Sequence, residues 1–419
     1  MKEANTHNLK TPTSPTRIIG NNKKSPLKYA RAYVGTGLEY LWELSSSIRS
    51  YKVDVVIVTG QEKHCKKPLR TLYIGNNENF AFIFNKIYSS FEVTKKRTDS
   101  NAFHTRKWIC EYRNSVDLIV IDVELLFSNL LPKREFLGIP QWLKQKFSVP
   151  DTWEDVWNSF RKNTKKELRR ILKYGFTYKM TRSERDFKIF YHQMYAPYIK
   201  KRFGDEAVVV SERKFLRQCS KGELMMLSRD GKVILGTLLL SFAGRLATIW
   251  GGVSDKVAPN MLKGAFSALD YFIILHGYER GCHTISFGLS RPLLNDGCFR
   301  YKRKWGTIIE KTLFPRADIL IKPLSSIAPI TSFFAHNPFI TGDGKYLVGK
   351  ILFDKDKVTE TNINHCLKYY STNGLNCLKL FSLHGFEDAA KKSAKFYSKE
   401  IRLFDLSHSS NPAQDFSVW

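Results

Sequence analysis

The stretch LLNDGCFRYKRKWGT, residues 293–307, concentrates side chains that could do chemistry. Four cations, Arg300, Lys302, Arg303 and Lys304, interleave with Phe299, Tyr301 and Trp305, directly after the acid Asp296. Lysine and arginine neutralise phosphates, arginine with a planar fork of donors, while a tyrosine or tryptophan stacks against a ring or braces a loop. Alternating the two kinds lets a loop hold a charged group against a packed wall. In a locally extended loop, residues 302 and 304 point one way and 301, 303 and 305 the other. Lys302 then faces a ligand, and Trp305 anchors the loop. The plainer reading is an exposed basic turn opened by Asp296 and Gly297.

Two other stretches place charge usefully. In NTKKELRRILKYG a single acid, Glu167, stands against Lys165, Lys166, Arg169, Arg170 and Lys173, so i,i+4 pairing is not the main purpose of these cations. Such a stripe suits the phosphates of a nucleotide-sugar, a polyprenyl-linked sugar or tRNA, with Lys165, Arg169, Arg170 and Arg300 as contacts. A merely solvated helix face explains the same residues. In APNMLKGA, Asn260, Lys263, Gly264 and Ala265 open a helix after a strand. The free N–H groups and dipole of a helix start bind a pyrophosphate, and Gly264 lets the backbone approach it closely. An ordinary helix start with a glycine in its first turn is the alternative. For proton transfer the candidates are Asp296, His283 and Asp270. Asp296 lies in the closing loop, His283 reads as a core histidine at the start of a buried strand, and Asp270 reads as solvent-facing. There is no GxSxG elbow, Walker loop, CxxC or HExxH, so neither a serine nucleophile nor a metal is signalled. Any group to be transferred would arrive already activated.

The elements that position these residues belong to a chain of 419 residues, 43% hydrophobic and 13% aromatic, which excludes a mainly disordered protein. With 67 Lys+Arg against 39 Asp+Glu, the net charge of +28 points to an anionic partner: nucleic acid, anionic lipid or a phosphorylated substrate. Seven irregularly spaced cysteines suit reduced thiols in a cytosolic protein. The opening residues lack the apolar core of a secretory signal. The longest charge-free apolar run, VILGTLLLSFAG, has 12 residues, short of the roughly 20 needed to span a bilayer. The expectation is a cytoplasmic protein, at most peripheral to the inner face of a membrane.

Along the chain, residues 1–25 read as disordered. Residues 26–148 read as an α/β domain with strands over 53–60, 69–75 and 116–123 and a helix around 78–90. GIPQWLKQKFSVPDT, 138–152, reads as a connection. Thr164 and Glu167 form a capping box for the basic helix, which stops at Gly175. A second helix starts at Ser183. Residues 223–253 make three strands with tight turns at Asp230-Gly231 and Ala243-Gly244. A helix from about 261 to 280 turns Phe266, Leu269, Phe272 and Ile273 to the core, and HTISFG, 283–288, is a further strand. The last hundred residues hold another β-α-β pattern (346–353, 359–370, 377–383), which either pairs with the N-terminal third or stands alone.

Helix, helix, three-strand meander, helix, strand is the order of the GNAT acyltransferase core. Three segments resemble its FemABX and CelD-like branch: FRKNTKKELRRILKYGFTYKM, DGKVILGTLLLSFAGRLATIWGGVSD, and GYERGCHTISFGLSRPLLNDGCFRYKRKWG with its Tyr-Lys-x-x-Trp-Gly close. Two features depart from it. Ser286 stands where the family often has Asp, and the Gln/Arg-x-x-Gly-x-Gly/Ala signature is not met. The resemblance implies an α/β (α+β) tandem: a degenerate GNAT-like half at 26–148, an intact GNAT domain at 149–312 with the strand of 245–252 splayed from that of 283–288, and a C-terminal α/β extension at 313–419. It implies Lys302 as the loop lysine with Tyr301 beside it, and a CoA pyrophosphate at Asn260, Lys263, Gly264 and Ala265. The donor it implies is acyl-CoA, acetyl-CoA first. The acceptor is an amine, or a hydroxyl, of a sugar or cell-envelope precursor that is phosphorylated or polyprenyl-linked. Aminoacyl-tRNA is the alternative donor, as the FemABX branch uses it. A non-catalytic nucleic-acid-binding protein on the same scaffold is the rival of another class, though no RNP aromatics or GXXG clamp supports it.

Overall fold

The computed structural model describes residues 7–8, 51–76, 79–204, 209–312, 318–344, 346–397 and 399–418. The chain divides into two compact units. Unit 1 holds Lys144–Gly288 and Tyr301–Ile308, together with His7 and Asn8. Unit 2 holds the described residues of Lys24–Leu143, Leu289–Arg300 and Ile309–Trp419. The stretch 149–312 is therefore interrupted, because residues 289–300 group with unit 2. The expected disordered segment 1–25 lies outside the described residues except for His7 and Asn8, which pair with Tyr178 and Thr177.

In unit 1 the strands run in the order His7–Asn8, Thr177–Thr181, Glu223–Arg229, Lys232–Phe242, Arg245–Val253, Thr284–Ser290, Leu143–Ser148. The meander is antiparallel, as its turns dictate. Asp230 and Gly231 take φ 50° and 71°, and Ala243 and Gly244 take 49° and 72°, the left-handed pairs that two-residue hairpins require. The last meander strand then pairs in parallel with Thr284–Ser290 across the helix Ala265–Glu279. This antiparallel-to-parallel switch is the GNAT order. The parallel pairing joins Arg245 to Thr284, Leu246 to Ile285 and Ala247 to Ser286. Beyond that point the Thr248 hydroxyl still donates to the Ser286 carbonyl at 3.1 Å, but no further ladder pair joins the two strands, so they part toward their C-terminal ends, as the resemblance implied.

One face of this sheet packs on Leu168 and Ile171 of the basic helix Lys162–Ile171, on Phe272 and Ile274 of the central helix, and on Trp305. The other packs on Phe187, Phe190, Met194 and Phe215. Two expectations need correction. Phe266 is 42% exposed; it lies one turn before Asp270, on the same side of the helix, and that side carries polar partners rather than core. The basic helix begins at Lys162, so Thr164 is an interior residue, not its cap. The expected stop holds: Gly175 closes the following 3-10 turn at φ 65°.

Unit 2 contains a six-stranded sheet in the order Tyr88–Asn101, Lys52–Glu62, Pro68–Gly75, Leu118–Asp122, Asp318–Pro323, Leu137–Pro140. Pro68–Gly75 is antiparallel to Lys52–Glu62 and parallel to Leu118–Asp122, repeating on a smaller scale the switch of unit 1. Asp318–Pro323 inserts between Leu118–Asp122 and Leu137–Pro140, whereas the strands of the expected β-α-β pattern, 346–353 and 377–383, lie in a separate sheet. A four-stranded sheet, Phe339–Asp343, Tyr346–Phe353, Leu375–Ser382, Ile401–Asp405, completes the unit. Residues 138–152, read as a connection, include parts of two strands, Leu137–Pro140 and Leu143–Ser148. No helix among the described residues is long and apolar enough to cross a membrane.

Candidate active site

The stretch 297–303 is a short α-helix, Gly297–Arg303, not an extended loop. The alternation expected of residues 301 to 305 is therefore replaced by helical spacing, in which residues three apart share a side. Tyr301 and Lys304 are such a pair, and the Lys304 ammonium lies 4.4 Å from the centre of the Tyr301 ring. Phe299 and Trp305 are buried completely, and Trp305 meets Phe160 edge to face at 5.4 Å. The anchoring role read for Trp305 fits this placement.

Tyr301 and Lys304 face two side chains one turn apart near the start of the central helix, Ser267 and Asp270. The Tyr301 hydroxyl donates to Asp270 Oδ2 at 2.6 Å. Lys304 Nζ donates to Ser267 Oγ at 2.7 Å and to Glu167 Oε2 at 2.9 Å, and Ser267 Oγ donates to Glu167 Oε1 at 2.6 Å. Thr164 adds a bond from its hydroxyl to the Lys304 carbonyl at 2.9 Å, which ties the basic helix to this corner. Burial raises the Asp270 carboxyl to about 6, against the pull of the Tyr301 hydroxyl and of Lys304 and Lys302. The Tyr301 phenol rises well above its ordinary value, first by burial and then by the neighbouring Asp270 charge. Burial also opposes ionisation of Glu167, yet Ser267 and Lys304 hold its carboxyl below the usual range. The corner thus holds one firmly ionised acid and one acid whose proton comes and goes near neutral pH. An acid of the second kind suits proton transfer.

Lys302 belongs to this corner. Its Nζ stands 4.0 Å from the point where a Cβ on Gly288 would sit, and Gly288 takes φ 73° in the diverging strand Thr284–Ser290. At the other rim, Gly264 takes φ 78° as the N-cap of the central helix, with no side-chain capping bond. A Cβ there would come within 2.7 Å of Ile171 Cγ2, so packing as well as φ requires glycine. Lys263 is exposed and Ala265 buried. Asn260 sits in the 3-10 turn Pro259–Leu262, its carbonyl accepting from Arg229 Nη1 at 3.4 Å.

The remaining candidates fall elsewhere. Asp296 and Arg300 group with unit 2, and Asp296 Oδ1 accepts from the Phe299 N–H at 2.8 Å, which makes it the cap of the short helix. His283 is exposed, contrary to the expectation of a core histidine; its ring covers Gly244, where a Cβ would lie 2.4 Å from its Cε1. Asp270, read as solvent-facing, is partly buried and bonded. Lys165 Nζ donates to Asn158 Oδ1 at 3.2 Å, while Arg169 and Arg170 are exposed without an ion pair among the described residues. Sequence reasoning missed Ser267 and the true partner of Glu167, and named Lys304 only among the alternating cations. The i,i+3 spacings Ser267–Asp270 and Tyr301–Lys304 were the available signal.

No protein-family model matches the chain, and no curated protein matches it. Solved structures that it resembles include FemX, at 15% identity over 63% of this chain and 83% of that one, with a TM-score of 0.34. L-PGS from Bacillus licheniformis is 11% identical over 65% and 86%, with a TM-score of 0.32. A GCN5-related N-acetyltransferase from Sphaerobacter thermophilus is 12% identical over 61% and 73%, with a TM-score of 0.27. The fold assignment rests on strand order and not on these likenesses.

Proposed function

We propose that the chain is an acyltransferase that moves an acyl group, acetyl first, from a CoA thioester to an amine, or a hydroxyl, of a phosphorylated or polyprenyl-linked sugar or envelope precursor. The carrying observation is the gap between Arg245–Val253 and Thr284–Ser290, with an ionisable acid, a phenol and a lysine gathered near it. Where the two strands part, ladder pairing gives way to side-chain bonds, Thr248 Oγ1 donating to the Ser286 carbonyl at 3.1 Å and the Gly288 N–H to Ser286 Oγ at 3.3 Å. An extended ligand that carries amides, such as the pantetheine arm, can enter beside such a split as an added strand would. The uncapped start of the central helix supplies N–H donors for a pyrophosphate.

In this reading the acceptor nitrogen attacks the thioester carbonyl, a C–N bond forms and the C–S bond breaks. Asp270 takes the proton released by the nitrogen, and the thiol departs with a proton from the same network. Lys302 steadies the negative charge on the carbonyl oxygen. Lys304, Ser267 and Glu167 position Tyr301, and Trp305 holds the short helix in place.

Aminoacyl-tRNA as donor is the second reading, favoured by the exposed Lys166, Arg169, Arg170 and Lys173, which have no ion pair among the described residues. Thermal unfolding of the full chain with acetyl-CoA and, separately, with charged tRNA distinguishes the two. A ligand present at 100 times its Kd stabilises the fold by about 2.7 kcal/mol. Stabilisation by acetyl-CoA supports the first reading and by charged tRNA alone the second. Stabilisation by uncharged RNA of any sequence, with no transfer, supports a nucleic-acid-binding protein. No shift with any of them overturns all three.

A further inference from the structure

Unit 2 holds a second charged group in a built setting, Arg291. The backbone on either side of it is fixed: Leu293 N donates to the Arg291 carbonyl at 2.9 Å, Ile340 N to Pro292 O at 2.8 Å, and Leu294 N to Pro338 O at 2.9 Å. The guanidinium lies between two rings, 3.7 Å from the centre of Trp142 and 4.2 Å from that of Phe82. Both faces of its plane are therefore covered.

One edge is held as well. Nη1 donates to Asn79 Oδ1 at 2.6 Å and to the Gln141 carbonyl at 3.2 Å. Asn79 and Gln141 are themselves set by the buried Asp122. Its carboxylate accepts from Asn79 N at 3.2 Å, Asn79 Nδ2 at 3.0 Å, Gln141 Nε2 at 3.1 Å and the Tyr73 hydroxyl at 3.0 Å. Position, plane and rotation of the guanidinium are all determined.

The opposite edge is idle. Among the described residues neither Nε nor Nη2 has a partner, no carboxylate comes within ion-pair distance, and the residue is only partly buried. Asp122 reaches it only through amides. A purely structural arginine would be expected to use the fork; this one presents it. Burial lowers the guanidinium to about 10 against the pull of Asp122 and Asp296, so the charged form lacks a direct counter-ion. An oxyanion on the free edge would provide one, and both N–H groups on that edge point the same way.

We propose that Arg291 anchors an oxyanion-binding site in unit 2, taking two oxygens of a carboxylate or of a phosphate monoester on its Nε–Nη2 edge, with Trp142 and Phe82 as flanking walls. The site lies wholly within one unit and its test needs no turnover, so it stands or falls apart from the transferase reading.

The test uses the full chain labelled with 15N-arginine, in which the Arg291 Nε–H resonance is the one lost in Arg291→Lys. N-acetylglycine and methyl phosphate are titrated separately at constant ionic strength set with chloride. A saturable shift of that resonance by either anion, with a change in tryptophan emission that Trp142→Phe abolishes, is expected, and the anion that saturates names the source. In Arg291→Lys the emission change should need roughly tenfold more anion, because lysine lacks the fork. If Arg291→Lys does not fold, the resonance is assigned from its displacement in Trp142→Phe, whose missing indole alters the ring current beside it. The proposal is overturned if both anions give only the shift that chloride gives, or if saturation persists unchanged in Arg291→Lys.

Discussion

Asp270 in unit 1 and Asp122 in unit 2 are both carboxylates withdrawn from water, and burial raises both. Their company differs. Asp122 receives one phenol, two side-chain amides and a backbone N–H, all neutral donors on strands, a turn and a helix start. Every one of those donors favours the ionised form, and protonation would strand several at once. Asp270 receives one hydroxyl, from a residue on a seven-residue helix, with the Trp305 indole and two lysines nearby. Its proton comes and goes at the expense of fewer donors than at Asp122. Donor number separates a carboxylate that holds a fold from one that can exchange a proton, although burial raises both.

That contrast can be broken most directly at Asp122. Asp122→Ala should destabilise unit 2 by roughly 1–3 kcal/mol for each of the three side-chain donors it strands. Loss of its first unfolding transition by a degree or less would show that the network is not structural. Trp305→Ala should cost unit 1 about 3–5 kcal/mol, as for a fully buried indole, measured by denaturant unfolding. A near-neutral result would mean that the site helix is held by something else.

Lys302→Ala should leave melting nearly unchanged while lowering acyl transfer by roughly 10²-fold, the scale of one lost electrostatic donor. Full activity in that variant would remove the site from this corner. The smallest expected effect is a pH dependence. Because folding raises Asp270 from 3.8 to about 6, the unfolded chain releases that proton first. The contribution of this group to stability is therefore lost as pH rises from about 4 to about 6 and stays absent above. Asp270→Asn should remove this slope, along with any limb near 6 in the rate profile, and Asp122→Asn should leave that limb in place. Identical pH profiles for wild type and Asp270→Asn would place the base elsewhere.

Much of unit 1 was legible because its signals are local. Asp230-Gly231 and Ala243-Gly244 are turns whatever surrounds them, Gly175 and Gly281 end helices by their own φ of 65° and 66°, and the apolar runs between them can only be buried strands. The strand Tyr88–Asn101 was not legible. It is polar and exposed almost throughout and is held by backbone bonds to Lys52–Glu62, so its side chains carry no period to read. The helical state of 297–303 was missed for a related reason: the alternation of cations and aromatics suits a strand until Asp296 caps the turn.

By itself the sequence determined the meander and its turns in unit 1 and the presence of cations in the right stretch, since each follows from short-range pattern, while the parting of two strands was implied by the family resemblance. Only the tertiary structure decided which of those residues meet. Glu167, Ser267, Asp270, Tyr301 and Lys304 come from three helical segments and their flanks, more than a hundred positions apart at the extremes, and Asn79, Asp122, Gln141 and Arg291 of unit 2, from a helix start, a strand and loops, are as widely separated. Whether a carboxylate is a cap, a structural anion or a proton acceptor depends on the donors that long-range packing brings to it and the water that packing removes, and no local pattern records either.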